Sequence, residues 1–324
     1  MGEKKRKIVF MGTSEFAVPI LTRLNQCHEV VLVVASPDKP AGRKQILTPP
    51  PVKVLAQELG LPVEQPVKLR GNENFLNRLN EISPELIVVV AYGKILPAEI
   101  INLPEHGCVN VHGSILPKYR GPSPIQTAIL NGDKETGVSF ILMDLGMDTG
   151  DIIESHSLEI TADDNFNTLS GKLSTLAADK ICPIVDGYIK GELNLEVQED
   201  DDATYCYKMT EELGKIQWSL SARAIANRVR AISEKVGVYG FYDKKRLSII
   251  EADFIDSACP EDKAELPVGT VLMGIETETN QKIICVKCGK GRLILKKVQL
   301  EGRQPMEIKD FINGQQKFVG SVLT

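Results

Sequence analysis

The sequence predicts an α/β protein: a doubly wound, mostly parallel sheet followed by a small β-barrel domain. Three observations lead there. Apolar runs and helical patterns alternate through the first two hundred residues. Several of those runs are apolar on both faces, as strands covered on two sides must be. Later the pattern changes to short alternating segments separated by Gly and Pro, with no helices between them.

The elements follow in order. "KIVFMG" reads as a buried strand and "SEFAVPILTRLN" as a helix. "EVVLVVAS" is a second buried strand, too continuously apolar for a one-sided sheet. "PVKVLAQELG" and "ENFLNRLNEI" have helical spacing, and "ELIVVVAYG" is another buried strand. "CVNVHG", "SPIQTAILNG" and "TGVSFILMDLG" read as strand, helix and strand. A long helix covers "NFNTLSGKLSTLAADKICPIVDGYIKG", with Pro183 the point where it should be interrupted. "EVQEDDDATYCYKM" is polar and acidic and reads as a linker. "SARAIANRVRAI" is one helix, and "KRLSIIEADF", "VGTVLMG", "KIICVKC" and "GRLILKKVQL" are barrel strands. The domains expected are therefore residues 1–190, a linker at 191–207, and a C-terminal domain at 208–324.

Composition narrows the function. The chain has 324 residues, 43% hydrophobic and 25% charged, an ordinary globular balance. No apolar run approaches the roughly 18 residues that cross a bilayer. The N-terminus lacks a secretory signal, so a cytoplasmic protein is expected, with no membrane association. Seven scattered cysteines, an odd number, predict reduced thiols. Cys285 and Cys288 form a lone C-x-x-C with no second ligand pair, and no histidine spacing suits a metal, so no metal is expected. From Tyr205 onward 19 Lys and Arg stand against 15 Asp and Glu, while the remainder is acidic. That asymmetry points weakly to an anionic macromolecular partner.

One stretch carries chemistry. In "VNVHGSILPKYRG", Asn110 and His112 are two residues apart on a strand and so share a face, opposite Val109 and Val111. Gly113 and Pro117 mark the strand's end, and ligands collect outside the carboxyl ends of such strands. The next strand ends in "MDLGMDTGD", offering Asp144, Asp148 and Asp151. If the two strands are neighbours, one of these acids reaches His112. An amide and an imidazolium aimed at one point stabilise an oxyanion, and a carboxylate takes a proton from an attacking amine. On spacing alone, a turn-capping Asn110 and a hydrogen-bonded core histidine fit equally well. The first strand–helix turn, "FMGTSEF", has neither a dinucleotide fingerprint nor a P-loop, so no nicotinamide is expected.

"NVHGSILPKYRGPSPIQTAI" followed by "MDLGMDTGD" resembles the core of the folate-dependent formyltransferases. "PDKPAGRKQILTPPPVKVLA" is similar to the basic insertion loop of the branch that acts on initiator methionyl-tRNA, and "VQLEGRQPMEIKDFINGQ" to the end of its C-terminal OB-type domain. The likeness runs from about Lys7 to Gly320. It implies Asn110, His112 and Asp148 as the catalytic residues, with Asp144 and Asp151 not at the matching positions. It implies that Ser114, Ile115, Leu116 and Pro117 form the folate loop, with Ile at a position where the family has Leu. Tyr92, Gly93, Ile95 and Leu96 fall where the family lines the folate pocket.

The implied activity is transfer of the formyl group of 10-formyltetrahydrofolate to the α-amine of methionine on initiator tRNA. The folate is a cosubstrate, and a monomer is expected. Arg43 and Lys44, in a mobile loop from Pro37 to Pro51, would meet the acceptor stem, although composition alone reads that loop as a solvated Pro-rich connector. A basic track from Lys290, Arg292, Lys296, Lys297 and Arg303 would be a second contact, of which Lys296, Lys297 and Arg303 are the main candidates. The alternative is the same chemistry on an amino-sugar nucleotide or other small amine. "AISEKVGVYGFYDKKRL" departs from the family's usual aromatic, Pro-rich turn after the helix that opens the C-terminal domain.

Overall fold

Tertiary burial sorts the apolar runs as their patterning predicts. The computed structural model describes residues 5–42, 45–256, 266–275 and 282–324. Arg43, Lys44 and Cys259 lie outside the described residues. The chain divides into two compact units. One takes Met1–Pro124, Glu135–Glu159 and Asn167–Tyr207; the other takes Ile125–Lys134, Ile160–Phe166 and Lys208–Thr324.

In the first unit, β1 (Lys7–Gly12) leads through a 3-10 turn into α1 (Val18–Cys27) and then β2 (Glu29–Val34). A small hairpin, β3 (Lys39–Ala41) and β4 (Ile46–Thr48), occupies part of the Pro37–Pro51 stretch. Then come α2 (Pro51–Glu58), β5 (Val63–Glu64), α3 (Glu73–Ile82), β6 (Leu86–Val90), α4 (Ala98–Ile101) and β7 (Cys108–His112). After α5 (Pro124–Asn131), which from Ile125 onward belongs to the second unit, follow β8 (Glu135–Leu142), β9 (Ile152–Glu159) and α6 (Phe166–Ile189). The sheet order is β5-β2-β1-β6-β7-β8-β9. Every residue of β6 is buried, as is all of β1 after Lys7. Each such aliphatic side chain contributes about 1.5–3 kcal/mol by leaving water. Asn72 caps α3 by accepting the Phe75 amide at 3.2 Å, an interaction worth about 1 kcal/mol.

Four features go beyond or depart from expectation. The pairs from β5 to β7 are parallel, but β7–β8 and β8–β9 are antiparallel. The strand β9 itself, "IIESHSLE", went unseen because only its first residues are fully buried, so its apolar signal is weak. Pro183 lies inside a continuous 24-residue helix. Ile181, Cys182, Ile184 and Val185 are buried around it, and that packing outweighs the lost backbone bond. Lastly, Cys27 and Cys182 form a disulfide, contrary to the expectation of reduced thiols. They are 155 residues apart in sequence, so spacing gave no sign of it, yet α1 and α6 bring their Cα atoms to 6.4 Å.

The second unit contains α7 (Ala222–Ile232), capped by Ser221, whose hydroxyl accepts the Ala224 amide at 3.2 Å. Its strands are β10 (Val238–Tyr242), β11 (Lys245–Ile255), β12 (Val271–Ile275), β13 (Lys282–Lys287), β14 (Arg292–Leu300) and β15 (Met306–Glu307), followed by α8 (Ile308–Gly314). They form one antiparallel sheet in the order β10-β11-β14-β13-β12, with β15 on β14. The atypical stretch before it resolves into the β10–β11 hairpin. Asp243 and Lys244 are its two turn residues, both left-handed (φ 48° and 63°), as a type I′ turn requires. Arg230, on α7, donates to the carbonyls of Ala162 and Asp164 at 3.0 and 2.9 Å, which fastens residues 160–166 to this unit. Cys285 and Cys288 are both buried, and burial pushes the Cys288 thiol up to about 12. Among the described residues no cluster of three His, Cys, Asp or Glu could hold a metal.

Candidate active site

β7 positions the polar pair. Its register places Asn110 beside Ile141 and His112 beside Ser139 on β8. Because β7 and β8 are antiparallel, the loop after β8 begins at the amino end of β7, where the Met143 amide donates to the Cys108 carbonyl. That loop has to fold back along the sheet to bring its acids to the polar pair. It closes when the Leu142 amide meets the Asp151 carbonyl at 2.9 Å. Gly150 makes the closure possible: a Cβ there would run into the Leu142 carbonyl.

The acid delivered is Asp148. Its Oδ1 accepts from Asn110 Nδ2 at 3.2 Å and lies 3.6 Å from His112 Nδ1. Its Oδ2 accepts from the Gly121 amide at 2.9 Å. Asp144 instead folds onto its own loop, accepting from Gly146 N and Thr149 Oγ1 at 3.0 and 2.8 Å. The three sequence-predicted residues Asn110, His112 and Asp148 are thus in one place.

The ring of His112 is held by its other nitrogen. Nε2 is 2.9 Å from the Tyr119 carbonyl, which only accepts, so Nε2 carries a hydrogen. Nδ1 then faces the carboxylate and can donate only when the ring is protonated. The His112 side chain is 7% exposed and that of Asp148 17%, so the two groups are shielded from bulk water. Both loop residues that set this geometry have left-handed backbones: φ is 56° at Asp148 and 60° at Tyr119. Non-glycine residues in that region cost on the order of 1 kcal/mol each and gather at functional sites.

The "SILP" turn is ordered by β8. Ser139 Oγ donates to the Ser114 carbonyl at 2.8 Å and accepts the Leu116 amide at 3.0 Å. Ser114 Oγ is used internally, donating to the Lys118 carbonyl at 2.6 Å. The Leu116–Pro117 peptide is cis, and Leu116 is buried against Ile141 and Ile152. Ile115, Leu116 and Pro117 line a cavity of about 460 Å³, together with Val197 and Gln198 among others. A larger depression of about 620 Å³ is lined by Val67, Lys68 and residues 70–74 and shares none of these residues.

The four pocket candidates after β6 divide. Tyr92 and Leu96 are buried in the sheet core, and burial pushes the Tyr92 hydroxyl up to about 12. The Tyr92 carbonyl accepts from Thr13 Oγ1 at 2.9 Å, at the end of β1. Gly93 is left-handed (φ 79°), and Ile95 is 84% exposed. Leu145 and Met147, on the Asp148 loop, are also exposed, at 72% and 59%. Of the basic candidates, Lys296 pairs with Asp253 at 3.0 Å and Lys297 with Glu251 at 3.5 Å. Lys290 and Arg303 are exposed. Arg292 is a correction: it is buried in β14, 6% exposed, and does not belong to a surface track. Spacing alone put it on the wrong side of the sheet's burial pattern.

Several site residues went unseen in the sequence. Gln198 donates to the carbonyls of Asp148 and Gly150 at 2.9 and 2.6 Å. Arg120, with a side chain 1% exposed, donates to Gln198 Oε1 at 3.0 Å and to Asp200 at 2.7 Å. Cys206 donates to the same Tyr119 carbonyl that holds His112, at 3.4 Å. For Gln198 and Cys206 the only sequence signal was the mixed polar and apolar character of "VQEDDDATYCY", which resembles an ordinary linker, while Arg120 stands in the quoted "KYRG" turn with nothing to mark its partners.

Comparison with known proteins gives a consistent picture. The family model described as "Formyl transferase" matches residues 5–185, and "Formyl transferase, C-terminal domain" matches residues 208–316. A methionyl-tRNA formyltransferase from Caldanaerobacter subterraneus is 43% identical over 318 residues, covering 98% of this chain and 99% of the relative. One from Caldicellulosiruptor saccharolyticus is 44% identical over 321 residues, with 98% and 99% covered. Among solved structures, the sugar 3N-formyl transferase WlaRD aligns with a TM-score of 0.62 at 20% identity, covering 92% of this chain and 99% of that one. HypX from Aquifex aeolicus, in complex with tetrahydrofolic acid, aligns with a TM-score of 0.63 at 14% identity over 98% of this chain and 48% of that one. At those identities the two structures speak to the fold alone.

Proposed function

This chain belongs to the formyl transferase family, and from that premise we infer that it formylates the α-amine of methionine on initiator methionyl-tRNA, for translation initiation. The formyl donor is 10-formyltetrahydrofolate, which supplies the formyl group from N10 and leaves as tetrahydrofolate. The observation that carries the reading is the meeting of Asn110, His112 and Asp148 at one point. The surroundings offer apolar side chains to the ring faces of the donor. Ile95, Leu145 and Met147 stand exposed on the loops after β6 and β8, the second of which carries Asp148.

The residues divide the work. Asn110 spends one N–H on Asp148 and keeps the other for the oxygen that gains charge as the amine attacks. His112, braced by Tyr119 through Nε2, turns Nδ1 toward Asp148, and an imidazolium there would add positive charge beside the developing oxyanion. Asp148 keeps the ring oriented and takes the proton that the attacking amine must lose, directly or through water, and a proton passes to N10 as its bond to the formyl carbon breaks and tetrahydrofolate leaves. No covalent enzyme intermediate is needed, since the amine itself is the nucleophile. Ser114 to Pro117 shape the folate side of the site, with Tyr92, Gly93, Ile95 and Leu96 as the second wall. In this reading Tyr92 and Leu96 act through the backbone they anchor, and Gly93 and Ile95 face the donor.

For the tRNA, the proposed contacts are Arg43 and Lys44 in the insertion loop and Lys296, Lys297 and Arg303 in the second unit. Their charges match phosphate, which fixes position without reading sequence. The working organisation is a catalytic part over residues 1–190, a connection at 191–207, and a tRNA-binding part over 208–324. The protein would act as a cytoplasmic monomer; no helix among the described residues is long and apolar enough to cross a membrane. The test is acceptor choice. Charged initiator tRNA should be formylated efficiently, and amino-sugar nucleotides and simple amines should not. Transfer to an amino sugar with none to the tRNA would overturn the reading.

A further inference from the structure

Residues 196–206 do more than connect. They run beside the turn that follows β7 and grip both halves of the site from behind. The Arg120 amide donates to the Thr204 carbonyl at 2.8 Å, and the Cys206 amide returns to the Arg120 carbonyl at 2.9 Å. Thr204 Oγ1 accepts the Tyr119 amide at 2.9 Å. Gly121 permits the close approach: its φ is 121°, and a Cβ would collide with the Cys206 carbonyl.

Two side chains on this strap end on the atoms that hold the catalytic groups. Gln198 Nε2 reaches the carbonyls of Asp148 and Gly150, which bracket the left-handed turn presenting the carboxylate. Its Oε1 is in turn pinned by the buried guanidinium of Arg120. That leaves the amide no freedom to flip, because a carbonyl oxygen facing two carbonyls would repel both. Cys206 Sγ meets the Tyr119 carbonyl, the acceptor of His112 Nε2. Burial first, and the nearby charge of Asp148 as well, push this thiol up, so it remains a donor.

We propose that Gln198 and Cys206 are positioning residues that set the relative placement of Asp148 and His112, Gln198 through the Asp148 backbone and Cys206 through the Tyr119 carbonyl. The inference rests on the reading of the site given above. Gln198 sets the depth of the carboxylate, and Cys206 keeps the imidazole anchor fixed. Both act on backbone carbonyls that hold the catalytic groups. A misplacement of about 1 Å at reacting groups can cost as much as 10²-fold in rate.

The experiment uses the full chain carrying Gln198→Met, which removes both donors at similar volume. Gln198→Glu, which replaces the donors with lone pairs and keeps the acceptor for Arg120, is the second variant, and Cys206→Ala the third. Each is compared with the unaltered chain in kcat, KM for both substrates, the pH–rate profile and the folded fraction. The expected result for the Gln198 variants is a loss of about 10- to 100-fold in kcat per folded molecule. KM for both substrates should stay near its unaltered value, and the pH–rate profile should move because the Asp148–His112 pair is loosened. Cys206→Ala should show a smaller loss in the same direction. A merely structural role would lower the folded fraction and leave kcat per folded molecule and the pH profile unchanged, and that result overturns the proposal. Asn110→Ala, run alongside, separates the two layers. If it retains kcat, the site reading fails and this inference with it. If it loses kcat while the Gln198 and Cys206 variants do not, only the strap inference fails.

Discussion

The crevice around Asp148 and the basic face of the second unit hold their charges in opposite ways. Asp148 is mostly buried, and each of its carboxylate oxygens accepts a hydrogen bond from a side-chain amide or a backbone N–H. Lys296 and Lys297 lie on a strand surface with side chains 53% and 35% exposed, each paired with one carboxylate across β11 and β14. Shielded charge with fixed partners suits chemistry, where a tenth of a nanometre decides the rate. Exposed charge on flexible stems suits a polyanion, where position matters less than sign. Exposed ion pairs of the second kind contribute little to stability, typically ~0–1 kcal/mol, so exchanging a carboxylate for a phosphate is cheap.

That contrast can be broken or sharpened by experiment. The largest effect should follow Asn110→Ala and Asp148→Asn. Each should lower kcat by about 10²–10³-fold, the usual cost of losing an oxyanion donor or its support. Far-UV circular dichroism should stay normal, and a loss below tenfold would mean the crevice is not the reacting site. Next comes Gly150→Ala, which forces a Cβ against the Leu142 carbonyl. It should cost about 1–3 kcal/mol in urea denaturation, as overpacking does, and should reduce turnover by moving the Asp148 loop. Wild-type stability would show that the loop relaxes freely.

A smaller effect is expected on the basic face. Replacing Lys296 and Lys297 together by Ala should weaken tRNA binding and reduce the slope of log affinity against log salt by about one for each phosphate no longer neutralised. An unchanged slope would remove this face from the tRNA site. The smallest effect concerns pH. Burial pushes the thiols of Cys108 and Cys288 up to about 12 from an ordinary value of 9.0, one in each unit. The unfolded chain therefore releases these protons first as pH rises. Their contribution is fully present below about pH 9 and is lost as pH climbs toward 12. Each group can steepen that loss by at most about 1.36 kcal/mol per pH unit. Cys108→Ala should flatten the decline between pH 9 and 11 in urea titrations, and a parallel decline would show that the thiol is not responsible.

How far the sequence revealed this molecule depends on the range of the interactions involved. Asn110 and His112 could be read because a strand's two-residue period is local, but the acid only as one of Asp144, Asp148 and Asp151, and the resemblance chose Asp148. The antiparallel turn of β8 could not be read, since strand direction depends on a connection and not on the pattern within a strand. Gln198, Arg120 and Cys206 were invisible for the same reason: each acts on residues roughly fifty to ninety positions away. The burial of Arg292 was missed because a charged residue on a strand reads as solvent-facing until the sheet's partners are known. Resemblance supplied the roles, and local spacing supplied the faces; neither supplied the strap.

The link between Cys27 and Cys182 makes most of the first unit a covalent ring. A protease cutting one bond anywhere inside that ring would release no fragment. The nicked halves would separate on a denaturing gel only after a reducing agent opened the sulfur bridge.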